Sequence, residues 1–162
     1  MIKARWLRAS QALALAVMLA AVLVPPLALA QRAEIFTGGR QQFGADLAAA
    51  GYDTVAYHTQ SKAVPGTGEF RVNWKGAEWR FASQRHRDLF VADPDKYAPQ
   101  YGGWCAFAVA AGVKATSDPL LFDLVGGRLY LNQSTGTQAS WRRDQAGMIQ
   151  RGDQNWLRIA KQ

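Results

Sequence analysis

Residues 69–97 read EFRVNWKGAEWRFASQRHRDLFVADPDKY, and this stretch decides the fold. From Glu69 to Trp74 the character alternates, with Phe70, Val72 and Trp74 on one side and Arg71 and Asn73 on the other. Successive side chains of a strand point to opposite faces, so the alternation predicts a strand with one face turned to a core. Lys75-Gly76 supplies a two-residue turn, and the chain returns through Ala77 to Phe81 with Trp79 and Phe81 facing inward. Ser83 then stands where a helix N-cap belongs, ahead of a helix from Gln84 to Ala92 that offers Leu89 and Phe90 to the core. Asp93-Pro94 opens another short turn of helix, Asp capping it and Pro occupying a first position whose N–H has no helical partner.

Working outward, residues 44–50 predict a brief helix that Gly51 ends. Residues 52–59 read as extended, with Val55 and Tyr57 on one face and Thr54, Ala56 and His58 on the other, and Pro65-Gly66 marks a turn. Downstream, Tyr97, Tyr101, Trp104 and Phe107 lead into a short small-residue helix over about 103–111. Residues 120–125 and 128–132 flank Gly126-Gly127, a strong signal for a second hairpin. Residues 137–160 predict helix in two pieces, breaking near Gly147 or Gly152, with Trp141, Ile149, Trp156 and Ile159 buried. The expected fold is α+β: two β-hairpins packed against several short helices, closed by a C-terminal helical segment.

Residues 1–30 stand outside that fold. Lys3, Arg5 and Arg8 precede an uncharged apolar run, and Ala28-Leu29-Ala30 follows Pro25-Pro26. This is the three-part layout of a secretory signal peptide with cleavage after Ala30, and it implies a periplasmic or secreted protein without membrane insertion once cleaved. Residues 31–43 form a polar lead-in, and residues 44–162 a single domain. Cleavage removes three cations and no acid, taking the net charge from +7 to +4. That is too mild, and too evenly spread, for a nucleic-acid partner. With Cys105 as the only cysteine, an intramolecular disulfide is excluded by counting, and so is a zinc site of two or more thiolates within one chain.

The runs GYDTVAY (51–57), WRFAS (79–83), DPDKY (93–97) and YGGWCAFAV (101–109) together resemble the YHS domain family across residues 51–112. The likeness is closest to its exported branch, in which a second hairpin follows, as LVGGRLYLN (124–132) does here. The resemblance implies a link to metals, copper above all. Members with proposed metal sites carry cysteines near the domain start and the strand-to-helix step. Here those places hold GYDTVAY and Ala82 with His86, so the expected chemistry is thinned to Cys105, His58 and His86.

A soft-metal site would therefore use Cys105 with one or both imidazoles, and a thiolate with few partners favours copper(I). Cys105 also sits between Trp104, Ala106 and Phe107, where a free cysteine packs as a small apolar side chain. His86, between Arg85 and Arg87, reads as solvated, whereas His58 reads as lining a cleft with Tyr52, Asp53 and Tyr57. Asp53 has the simpler reading of a turn cap. With Trp79, Tyr101 and Trp104 these residues outline an aromatic-walled pocket for a small ligand, set against plain core packing. Three functions follow: a non-enzymatic binding module for a small ligand or metal ion, a thiol enzyme or redox protein using Cys105, and an adaptor presenting Trp141, Arg142, Arg143 and Trp156 to a partner.

Overall fold

The computed structural model describes residues 34–38 and 47–162. Residues 1–30, expected to be a signal peptide, and most of the polar lead-in expected at 31–43 lie outside the described residues. The fold is α+β, built among the described residues from two separate antiparallel hairpins, six helices and two single turns of 3-10 helix.

The first hairpin joins β1 (Thr67–Trp74) to β2 (Ala77–Phe81), with Val72 opposite Trp79 and Trp74 opposite Ala77. Lys75 and Gly76 both take positive φ, the backbone that lets a two-residue turn follow the natural twist of the strands. The inward residues of β2, Ala77, Trp79 and Phe81, are buried, while β1 is only half covered. Behind it lies α2 (Gln84–Ala92), whose Phe90 packs on Trp79 and Phe81. Burying a side chain such as Phe81 or Phe90 stabilises the fold by roughly 1.5–3 kcal/mol. Ser83 caps α2 by accepting from the His86 amide, and Asp93 caps α3 (Pro94–Tyr97) by accepting from that of Lys96.

The extended reading of residues 52–59 is corrected: they hold α1 (Thr54–Gln60), with Asp53 as N-cap accepting from the Val55 and Ala56 amides. Thr54, Val55, Ala56 and Tyr57 are all buried, so no 3.6-residue alternation reaches the sequence and the β-branched residues imitate a strand. Of the helix expected at 44–50, residues 44–46 lie outside the description. The rest is a single 3-10 turn at Ala49–Gly51, with Gly51 at φ 81 where the expectation put a terminator.

A second 3-10 turn, Gln100–Gly103, leads to α4 (Ala106–Ala110). The second hairpin pairs β3 (Asp118–Val125) with β4 (Arg128–Asn132) across Gly126-Gly127, both at positive φ. Ser134 and Thr137 form a reciprocal capping box at the start of α5 (Thr135–Arg143). The chain then bends at Asp144 into α6 (Gln145–Ile159). The break falls at neither glycine, because Asp144 leaves helical geometry to cap the Gly147 amide. Gly152 serves packing instead: a Cβ there would lie 2.5 Å from the Tyr101 hydroxyl.

Residues 34–38 form a strap across the second 3-10 turn. The Phe36 amide donates to the Gly102 carbonyl at 2.8 Å, Ile35 enters the core under the first hairpin, and Phe36 lies against Trp104. Among the described residues no helix is long and apolar enough to cross a membrane.

Candidate functional site

The three expected metal ligands occupy three different settings. Cys105 is 1% exposed, and its thiol lies 3.7 Å from the Asn132 side-chain oxygen, which also accepts from the Phe107 amide. The His58 ring stands edge-on to Tyr97. Its Nε2 is buried without a partner, and burial, followed by the nearby Lys96 charge, lowers its pKa. His86 is not solvated, as its arginine neighbours suggested, but 9% exposed with Nδ1 2.6 Å from the Asp53 carboxylate. Neighbours one residue away on a helix point about 100° to either side, so Arg85 and Arg87 turn outward while His86 faces in. Among the described residues no three His, Cys, Asp or Glu side chains gather where an ion could be held.

Asp53 is the hub of this region. One oxygen accepts from the Val55 and Ala56 amides, and the other from the Ala82 amide and from His86. The carboxylate thus ties the start of α1 to the end of β2 and to α2. A carboxylate behind Nδ1 also fixes a neutral imidazole with its proton on that nitrogen, leaving Nε2 the basic one. Among the described residues Nε2 makes no hydrogen bond, and 11% of the side chain remains exposed.

Several of the aromatic residues that could line a pocket follow the core-packing alternative. Tyr52, Tyr57 and Trp79 are buried in the core, with the Tyr57 hydroxyl donating to the Pro119 carbonyl and the Trp79 indole to that of Trp74. Trp104 is half-buried beneath the strap. Of the six residues expected to line a pocket, Tyr101 lines the groove described next. A small domain without a disulfide spends its large side chains on the core.

Among the described residues an open groove of about 370 Å³ forms. Its walls come from six parts of the chain: Glu34 and Ile35 of the strap, Trp74 and Lys75 of the first hairpin, Asp95, residues 98–102, Arg128 of the second hairpin, and Asp153, Trp156 and Leu157 of α6. Arg128 organises the base. Its guanidinium grips both carboxylate oxygens of Asp153, at 2.9 and 3.2 Å, and donates twice to the Gln100 side-chain oxygen, at 2.7 and 3.0 Å. The Tyr101 hydroxyl donates to the same Asp153 at 2.9 Å. Burial and that hydrogen bond push the Tyr101 pKa up, and Asp153 makes Arg128 hold its proton more firmly. Opposite, Lys75 pairs with Glu34 at 3.1 Å and lies over the Trp74 ring. Leu157, at the other wall, is 86% exposed.

Gln100, Arg128 and Asp153 carried no sequence signal. The only pointer was a polar residue straight after the Gly126-Gly127 turn, which most hairpins share. Comparison of the chain with protein-family models, characterised proteins and solved structures gives no match, so the functional argument rests on the groove itself.

Proposed function

We propose that this chain is an exported YHS-like protein that acts as a non-enzymatic binding module, with its ligand seated in the groove between the two hairpins. The observation that supports this most is the Gln100–Arg128–Asp153–Tyr101 network, which fixes polar groups from three separate segments around one cavity. Such preorganisation lowers the ordering penalty of binding. The volume falls in the usual range for small-molecule sites, roughly 300–1,000 Å³. The titratable groups favour holding over proton transfer, because Tyr101 and Arg128 both keep their protons more tightly than free side chains do. The sealed setting of Cys105 speaks against a thiol enzyme, since a nucleophilic thiol needs both access and a stabilised thiolate.

The test is an NMR titration of the secreted protein with a panel of small metabolites, including copper(I). A ligand of the groove shifts the amides of Gln100, Gly102 and Arg128 and the indole of Trp156. A ligand whose shifts instead centre on Cys105 and His86 would sink this reading and restore the metal one.

A further inference from the structure

We infer that the groove takes an uncharged polyhydroxylated ligand, a monosaccharide or disaccharide; this deepens the proposed binding function and rests on it. The first reason is charge. Lys75 is matched by Glu34 and Arg128 by Asp153, so two cations and two of the three lining carboxylates already cancel. The third, Asp95, is exposed. Arg128 commits hydrogens from all three of its nitrogens to Asp153 and Gln100. It has no free fork for a ligand carboxylate or phosphate, the geometry that makes arginine an anion receptor. An anionic ligand would meet no uncompensated cation among the lining residues.

The second reason is the kind of valence left over. Gln100 uses its side-chain oxygen on Arg128, and its NH2 makes no hydrogen bond among the described residues. Lys75 spends one of three donors on Glu34, and Glu34 accepts through one of two oxygens. Asp153 retains acceptor capacity on Oδ2, where only Arg128 donates. The cavity therefore offers spare donors on Gln100 and Lys75 together with spare acceptors on Glu34 and Asp153. A hydroxyl both donates and accepts, so neighbouring hydroxyls on a sugar ring satisfy such a set without disturbing an ion pair.

The third reason is the walls. Trp74, Tyr101 and Trp156 line the groove beside these polar groups. They give the C–H faces of a sugar ring an apolar surface, while its hydroxyls meet the charged pairs.

The experiment titrates the secreted protein with neutral mono- and disaccharides, amino acids and small organic anions, following the groove amides and tryptophan fluorescence. The expected result is saturable binding of a neutral sugar that changes less than twofold between low salt and about 1 M salt, where attraction between exposed charges is screened. Gln100→Leu and Trp156→Ala should each weaken it by about tenfold, with melting curves showing that both variants fold. Shifts of the same amides by amino acids or anions alone would overturn the sugar class and leave the groove as a binding site. Sugar binding that ignores both substitutions would overturn the groove as its location. Silence of the groove amides toward every class would overturn both.

Discussion

Asp53 and His86, thirty-three residues apart, meet at 2.6 Å in a buried carboxylate–imidazole contact that joins the start of α1 to α2. The same carboxylate accepts three backbone amides, so nearly all of its hydrogen-bonding capacity is used inside the protein. Replacing Asp53 by Asn should destabilise the fold by about 3 kcal/mol, because the amide puts an NH2, with two donor hydrogens, where an accepting oxygen stood. His86→Leu should cost about 2 kcal/mol, and a double-mutant cycle should show a coupling of about 1–2 kcal/mol. Urea denaturation measures all three, and a coupling below about 0.5 kcal/mol would show that the two residues act independently.

His58 gives a pH dependence whose sign follows from its lowered pKa. The unfolded chain binds a proton near pH 6.5, while the folded chain keeps this imidazole neutral to lower pH. The unfolded state therefore holds more protons in that window, and stability falls as pH drops below about 6.5 toward the folded pKa. His58→Phe keeps an aromatic edge against Tyr97 and removes the titration. The stability difference between wild type and variant should shift in the variant's favour between about pH 7.5 and pH 5. Parallel stability curves would refute the assignment.

Cys105 should behave as a core atom. Thiol reagents at neutral pH should label it only at the rate of unfolding, and fully in denaturant. Cys105→Ala should cost about 1 kcal/mol through a small void and the lost contact with Asn132. Rapid labelling of the native protein would return the thiol to the functional candidates.

Two glycines separate backbone strain from crowding. Gly126 has φ 57 and nothing within 4 Å of the point where a Cβ would stand, so Gly126→Ala should cost about 1 kcal/mol, the strain of a left-handed residue. Gly102 has φ 60, and a Cβ would fall 1.8 Å from the Glu34 carbonyl oxygen. Gly102→Ala should cost at least about 2 kcal/mol and make residues 34–38 accessible to protease. Equal losses at the two positions would mean that the strap yields at little expense.

Where the sequence carried local instructions, the fold could be read from it. Lys75-Gly76 and Gly126-Gly127 specify their turns through backbone conformation, and Ser83 and Asp93 specify helix starts through one short-range hydrogen bond each. α1 escaped because its first four residues are all buried, which leaves no periodicity to read, although Asp53 was in place as a cap. His86 escaped because its partner lies on another element, and the charges beside it dominate any local view. The groove was illegible for the same reason: Gln100, Arg128 and Asp153 become neighbours only when a 3-10 turn, a strand and a helix converge. The aromatic residues leave a pocket and plain core packing both open in the sequence, and the core uses most of them.

The strap that crosses Gly102 has a consequence for the order of assembly. Its residues come early in the chain, yet the surface they settle on exists only after the 3-10 turn has met the first hairpin. A contact that closes so long a loop with the Phe36–Gly102 hydrogen bond, the half-exposed Glu34–Lys75 pair and two apolar side chains belongs to the last stage of folding. By the same logic it is the first to be released. Hydrogen exchange at the Phe36 amide should run ahead of every amide in the hairpins, so that one wall of the groove comes and goes while the rest of the molecule stays folded.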